Sequence, residues 1–199
     1  MSLDLQYYLV SNDEIGHIFL DELRRAAQRG VRVRLLLDDL YSAGVEPLLL
    51  GLASMPNVEV RLFNPILYGR TNALLRLTNF AMDFRRLNYR MHNKLFLADG
   101  SVAVVGGRNI ANEYFLRHAG ENYVDFDALA IGPVVAQLAR SFDTYWNSAQ
   151  AFALQSPTRS TATTDDLRSA FDRAVPVDTA SPLVASLVSD RYGNPPLAA

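Results

Sequence analysis

Apolar residues in this chain gather into short runs separated by stretches of helical spacing, and the alternation continues to about residue 150. Leu3-Asp4-Leu5-Gln6-Tyr7-Tyr8-Leu9-Val10 reads as a strand. Ser11-Asn12-Asp13-Glu14 has the form of a capping box, with Ser11 as the cap and Glu14 three positions on. The helix that follows places Ile15, Ile18, Phe19, Leu23 and Ala26 on one face, and Gly30 ends it. The run 31–37 carries Leu35-Leu36-Leu37 without polar alternation, which predicts a strand covered on both faces. A helix at about 46–54 and a strand at 57–63 continue the pattern. Strands separated by helices predict an α/β chain, here an α/β/α sandwich around a mixed, largely parallel sheet.

Residues 66–90 differ, because Arg70, Arg76, Arg85, Arg86 and Arg90 are offset only by Asp83. Leu74, Leu75, Leu77, Phe80, Ala81 and Phe84 interleave with them at helical spacing. This is either a helix packed on its own sheet with arginines in water, or a basic surface for anionic lipid; an apolar helix face favours the first. A strand that begins at His92 and is carried into the core by Leu95-Phe96-Leu97, the turn Asp99-Gly100 and the run Val102–Val105 then predict a hairpin. A short helix is expected at 109–116, a strand at 123–131, and a helix opened by Gly132-Pro133 and running through Trp146. Beyond residue 150 the composition turns to Ser, Thr, Ala and Pro, so residues 1–150 are read as one domain and 151–199 as a linker and weakly helical tail. Within that tail, helical patterns are weak at 164–174 and 181–189.

Composition narrows the function classes. At 49% apolar and 20% charged residues, the 199-residue chain can bury one substantial core. No run of about 18 apolar residues is present, so nothing in it is expected to span a membrane. The absence of cysteine excludes disulfides and thiolate metal sites. A net charge of −2 argues against indiscriminate binding of nucleic acid. The three histidines are scattered, so neither a metal nor a cofactor is expected.

The densest chemistry lies in Met91-His92-Asn93-Lys94 and in Gly106-Gly107-Arg108-Asn109. Strand alternation predicts that His92 and Lys94 point the same way, and the hairpin returns Asn109 toward them. An imidazole, a fixed cation and an amide donor then converge, which reads as a phosphate site. Neutral imidazole attacks phosphorus to give a phosphohistidine, while cations and amides hold the non-bridging oxygens. Glu121, Asp125 and Asp127 precede or enter the strand 123–131, and Asp125 and Asp127 share a face. Such carboxylates either orient an imidazole or pair with nearby arginines. His17 and His118 lack comparable company and are read as surface residues.

The spacing His92-x-Lys94-x4-Asp99 with Asn109 downstream resembles the signature of the phospholipase D superfamily. Leu5–Tyr8, Arg29–Asp39, Asn57–Pro65 and Asp127–Pro133 resemble the amino-terminal catalytic half of bacterial cardiolipin synthases, particularly the C type. The resemblance covers roughly residues 3 to 150. It implies His92 as nucleophile, Lys94 and Asn109 on the phosphoryl oxygens, Asp127 as the carboxylate orienting the imidazole, and Asp99 as a loop support more than a reactant. Many members carry serine where this chain has Gly107, so one hydroxyl contact is missing. Arg108 is read either as an added cation or as a solvent-facing residue.

The implied enzyme is a phosphatidyltransferase or phosphodiesterase that makes cardiolipin from anionic phospholipids at a membrane surface. It would lie peripherally on the cytoplasmic side of the inner membrane. A single motif and an abrupt opening strand predict a fragment that lacks a second half supplying the partner histidine. Two alternatives stay open: a nuclease of the same superfamily built as a homodimer, or an isolated half that turns nothing over alone.

Overall fold

Strand β1 (Ser2–Tyr7) is the pivot of a seven-stranded sheet in the computed structural model, which describes residues 1–65, 89–158 and 161–175. Strands β2 (Arg32–Asp38) and β3 (Val58–Phe63) run parallel beside it, connected by α1 (Glu14–Gln28) and α2 (Glu46–Ala53). On the other side of β1 lie β4 (Leu95–Ala98), β5 (Val102–Gly106) and β6 (Asp127–Ile131), each antiparallel to its neighbour. After α3 (Pro133–Trp146), β7 (Ala151–Ala153) pairs antiparallel with β3 at the far edge. The sheet is mixed, but parallel pairing is confined to β1, β2 and β3. The expectation of a largely parallel sheet therefore fails beyond that centre. Residues 95–106 turn back through Asp99-Gly100, both at positive φ (51° and 61°), and a hairpin imposes antiparallel pairing.

The leucine triplet of β2 explains the layers. Leu35 and Leu37 enter the core under α1 and α2 with Leu5, Leu20, Leu23, Leu49 and Leu62. Leu36 enters the opposite core with Phe63, Leu95, Leu97 and the α3 residues Val135, Phe142 and Trp146. Alternation along the strand feeds both faces, so the α/β/α sandwich follows from the uninterrupted apolar run.

Two local expectations change. Helix α1 is capped by Asp13, not Ser11: its Oδ1 accepts from Gly16 N–H at 2.9 Å. Asp13 wins because its Oδ2 also accepts from the Asn112 N–H (2.9 Å), while Asn112 Oδ1 accepts from the Ile15 N–H (3.1 Å). A reciprocal clasp across 99 residues of sequence thus fixes the loop after Asn109 to the start of α1. The tail segment 164–174 is a helix, α4 (Thr164–Ala174), with a full Thr163–Asp166 capping box. It packs on α2 at Gly51, where a Cβ would lie 2.6 Å from the Phe171 Cβ; Arg24 joins it by an ion pair to Asp172 at 2.6 Å. The arginine-rich stretch 66–88 and the pattern at 181–189 lie outside the described residues.

Along β5 and β6 one face of the sheet is exposed among the described residues. Val104 and Leu129 are paired across strands, as are Val102 and Ile131, and all four are exposed. Phe126 beside them is 77% exposed.

Candidate active site

Pairing Gln6 with Leu95 brings the end of β1 alongside the lead-in to β4, so Tyr7 and Tyr8 lie next to the segment 92–94. That lead-in is extended but not yet strand, which begins at Leu95. Its position is set by Asp38 at the end of β2, a fully buried carboxylate. Asp38 Oδ2 accepts from the Met91 N–H and Oδ1 from the Leu40 N–H, both at 3.0 Å, and Arg90 Nη1 reaches Oδ1 at 3.2 Å. Burial pushes the Asp38 carboxyl upward, and the two N–H groups and Arg90 oppose that push.

From this anchor the chain presents His92 to solvent and buries Lys94. The two do not simply share a strand face, because strand alternation has not started. Instead the lysine side chain folds back, with Nζ 2.7 Å from the His92 carbonyl oxygen and 3.0 Å from His92 Nδ1. The Tyr8 ring lies against the imidazole, with centroids 4.7 Å apart, and Lys94 Nζ sits 5.5 Å from the Tyr8 centroid.

Burial holds the Lys94 ammonium below the usual lysine range, with Asp125 pulling the other way. Since the folded-state value lies below the ordinary 10.5, the charged lysine costs stability at neutral pH. That cost is relieved as pH rises through the folded value toward 10.5. Lys94→Met is therefore expected to raise the melting temperature at pH 7 and to flatten the upward trend in stability just below about pH 10. Thermal melts of the two proteins across that range check it; a lower melting temperature at pH 7 would contradict the assignment of Lys94 as a destabilising buried charge.

The Gly106-Gly107 pair makes room for two carboxylates. A Cβ on Gly106 would lie 1.9 Å from Asp127 Oδ1, and one on Gly107 only 2.1 Å from Asp125 Oδ1. The space a serine hydroxyl would enter at residue 107 is occupied here by Asp125. Arg108 faces neither solvent alone nor a bare phosphate site: Nη2 donates to the Asp125 carbonyl at 3.1 Å, and Nε lies 3.4 Å from Asp127 Oδ2. Asp127 also pushes up the hydroxyl of Tyr7, whose burial is the larger cause. Tyr7, Lys94, Gly106, Arg108, Phe115 and Asp127 line an open cavity of about 330 Å³.

The expected residues therefore separate into groups. His92 and Lys94 are in contact, and Lys94 shares the cavity with Asp127. Among the described contacts the partner of His92 Nδ1 is Lys94, whereas Asp127 lies beside Arg108. Asn109 is 2% exposed; its Nδ2 donates to the Tyr114 hydroxyl at 2.9 Å, and its Oδ1 has no partner among the described residues. Asp99 sits at the opposite end of β4, where Oδ1 accepts from the Ser2 N–H and ties the hairpin to the start of β1. His17 pairs with Asn12, and His118 accepts from the Gly120 N–H, both away from this cluster. Tyr8, Asp38 and Tyr114 were not anticipated as site residues; an acid closing an apolar strand was the one visible signal, at Asp38.

This fold and its His-x-Lys site define a phospholipase D-like protein. Residues 1–146 match the family described as "Cardiolipin synthase, PLD-like domain", and the chain belongs to that family. It is 48% identical over 156 residues to "Cardiolipin synthase C" of Escherichia coli (strain K12), covering 77% of this chain and 32% of that protein. A cardiolipin synthase of Staphylococcus aureus (strain N315) is 33% identical over 149 residues, which are 73% of this chain and 27% of the relative. The chain thus spans about a third of the length of these relatives. Among solved structures, phosphatidylserine synthase of Haemophilus influenzae Rd KW20 aligns with a TM-score of 0.57 at 15% identity, over 87% of this chain and 38% of that one. NucT from Helicobacter pylori aligns with a TM-score of 0.51 at 15% identity, over 76% and 82% respectively. Among the described residues no helix is long and apolar enough to cross a membrane.

Proposed function

We propose that this chain is one half of a phosphatidyltransferase that exchanges phosphodiesters through a phosphohistidine on His92, with anionic phospholipids as substrates and cardiolipin as product. The observation that carries the reading is the exposed imidazole held 3.0 Å from a buried ammonium at the edge of the sheet. In the free site, an ammonium donating to Nδ1 places the imidazole proton on Nε2, so that nitrogen has no lone pair to offer. A phosphodiester is a stronger acceptor for the lysine. Once Lys94 turns to a non-bridging oxygen, Nδ1 takes the proton and Nε2 is free to attack. The N–P bond forms, the P–O bond to the first alcohol breaks, and that alkoxide takes a proton from an acid. In the second step the acceptor alcohol loses its proton, forms a new P–O bond and releases His92.

The acid is assigned to the imidazole of a second half, which the chain itself does not supply. The uncovered face formed by β5 and β6 supports a partner on that side, since apolar patches of this kind mark contact surfaces. Two copies of this chain, paired through that same exposed apolar face, are the second reading. Peripheral attachment at the cytoplasmic face of the inner membrane completes the proposal.

The test is the appearance of cardiolipin from phosphatidylglycerol vesicles, followed by mass spectrometry over a protein concentration series. Product rising faster than linearly means that two copies complete the site. No product from the folded chain, with product restored by adding the remainder of a full-length relative, assigns it as a half. If the completed protein cleaves phosphodiesters but makes no cardiolipin, the substrate assignment falls.

A further inference from the structure

We propose that Tyr8 is the positioning residue of the nucleophile: its ring forms the wall that fixes the His92 imidazole. The inference rests on the reading of His92 as the reacting group, but its evidence is separate. An exposed histidine on an extended segment ordinarily samples several rotamers, because no neighbouring turn restricts it. Here two contacts act on the ring from different directions. Lys94 Nζ meets the edge at Nδ1, at 3.0 Å, and Tyr8 packs on the ring at a centroid distance of 4.7 Å and a tilt of 54°. Among the described contacts none engages Nε2, so the pair leaves that nitrogen as the one presented outward.

The wall is itself held. Tyr8 follows β1 directly, and Tyr41 supports it edge-on at 5.6 Å and 80°. Burial, with Tyr41 and Asp38 adding to it, pushes the Tyr8 hydroxyl up to about 12, so the ring stays neutral at physiological pH. The same ring lies 5.5 Å from Lys94 Nζ, within cation–π range, and so touches both members of the pair. What the role requires is the ring; the hydroxyl points to Tyr41. Tyr8→Phe should keep the function and Tyr8→Leu should lose it.

The primary test uses the chain alone and needs no turnover. Carbon–proton correlation spectra resolve its three histidines. His92 is assigned with His92→Gln, and His17 and His118 act as internal references. In the wild type and in Tyr8→Phe, the His92 ring protons should carry the ring-current shift of a neighbouring aromatic face and relax as part of a rigid site. In Tyr8→Leu that shift should vanish and the ring should become mobile, with His17 and His118 unchanged. A His92 ring equally ordered in Tyr8→Leu overturns the proposal. In the assembly that shows activity, Tyr8→Leu should lower kcat by roughly 10- to 100-fold, the cost of a misplaced reacting group, with KM nearly unchanged. Tyr8→Phe should restore most of it; a Tyr8→Phe loss as large as that of Tyr8→Leu would also overturn it. An assembly without any turnover refutes the proposed function and leaves the spectra to decide the role of Tyr8.

Discussion

Replacing His92 by alanine should abolish phosphodiester exchange while leaving the stability of the chain almost unchanged. The two halves of that expectation have different origins. His92 is exposed and contributes to neither core, so its removal belongs with surface substitutions, within about 0.5 kcal/mol. In the proposed mechanism its loss removes the atom to which phosphorus is transferred, so no residual route through a covalent intermediate remains. A fall in kcat of at least about a thousandfold is expected, in line with nucleophile deletions elsewhere. The companion measurement is trapping of an acid-labile, base-stable phosphoryl adduct, present in the wild type and absent in His92→Ala. Residual turnover above a tenth of wild type would remove His92 as the nucleophile. Loss of the folded state would instead mean that the lead-in to β4 depends on the imidazole for its shape.

The second large effect is on stability and belongs to Asp38→Ala. This carboxylate is 1% exposed and satisfies two backbone N–H groups and one guanidinium. Two of the nitrogens of Arg90, Nε and Nη2, are already buried without partners among the described residues. Deleting Asp38 strands the cation further and leaves the Met91 and Leu40 N–H groups without their acceptor. Breaking one side of a buried ion pair costs about 3–5 kcal/mol. Denaturant unfolding should therefore show a midpoint far below wild type with an unchanged slope. Asp38→Asn keeps an acceptor oxygen and should recover part of the loss. A midpoint shift equivalent to under about 1 kcal/mol, the worth of a single ordinary hydrogen bond, would show that Asp38 does not anchor the segment leading to His92.

Much of this architecture was legible because strand and helix periods differ. The apolar run of β2, the helix through Trp146 and the hairpin at Asp99-Gly100 all emerge at close to their observed bounds. The sense of β4 to β6 was harder to read, since pairing direction depends on connection length and not on composition. The cap of α1 was misplaced for a similar reason. Ser11 and Asp13 are both good caps by type, and the choice falls on Asp13 through its bond to Asn112, a partner 99 residues away. Within the site, the proximity of His92 and Lys94 was foreseeable from spacing, but the fold-back of the lysine onto Nδ1 was not. It arises because the strand starts only at Leu95. The opposite placement of Asp99 follows from the same hairpin: four strand residues separate it from Lys94.

The uncovered strand β6 also bears on how this chain behaves in a tube. Among the described residues it ends the sheet with an open row of backbone donors and acceptors, and Leu129 and Ile131 stand 72% and 68% exposed along it. An open edge with an apolar face is a template for indiscriminate strand addition, and native proteins shield such edges. Handled at high concentration without whatever normally covers β6, the chain is set to aggregate through this edge. A lysine introduced at Leu129 would act as a gatekeeper there and should extend the concentration range over which the protein stays dispersed.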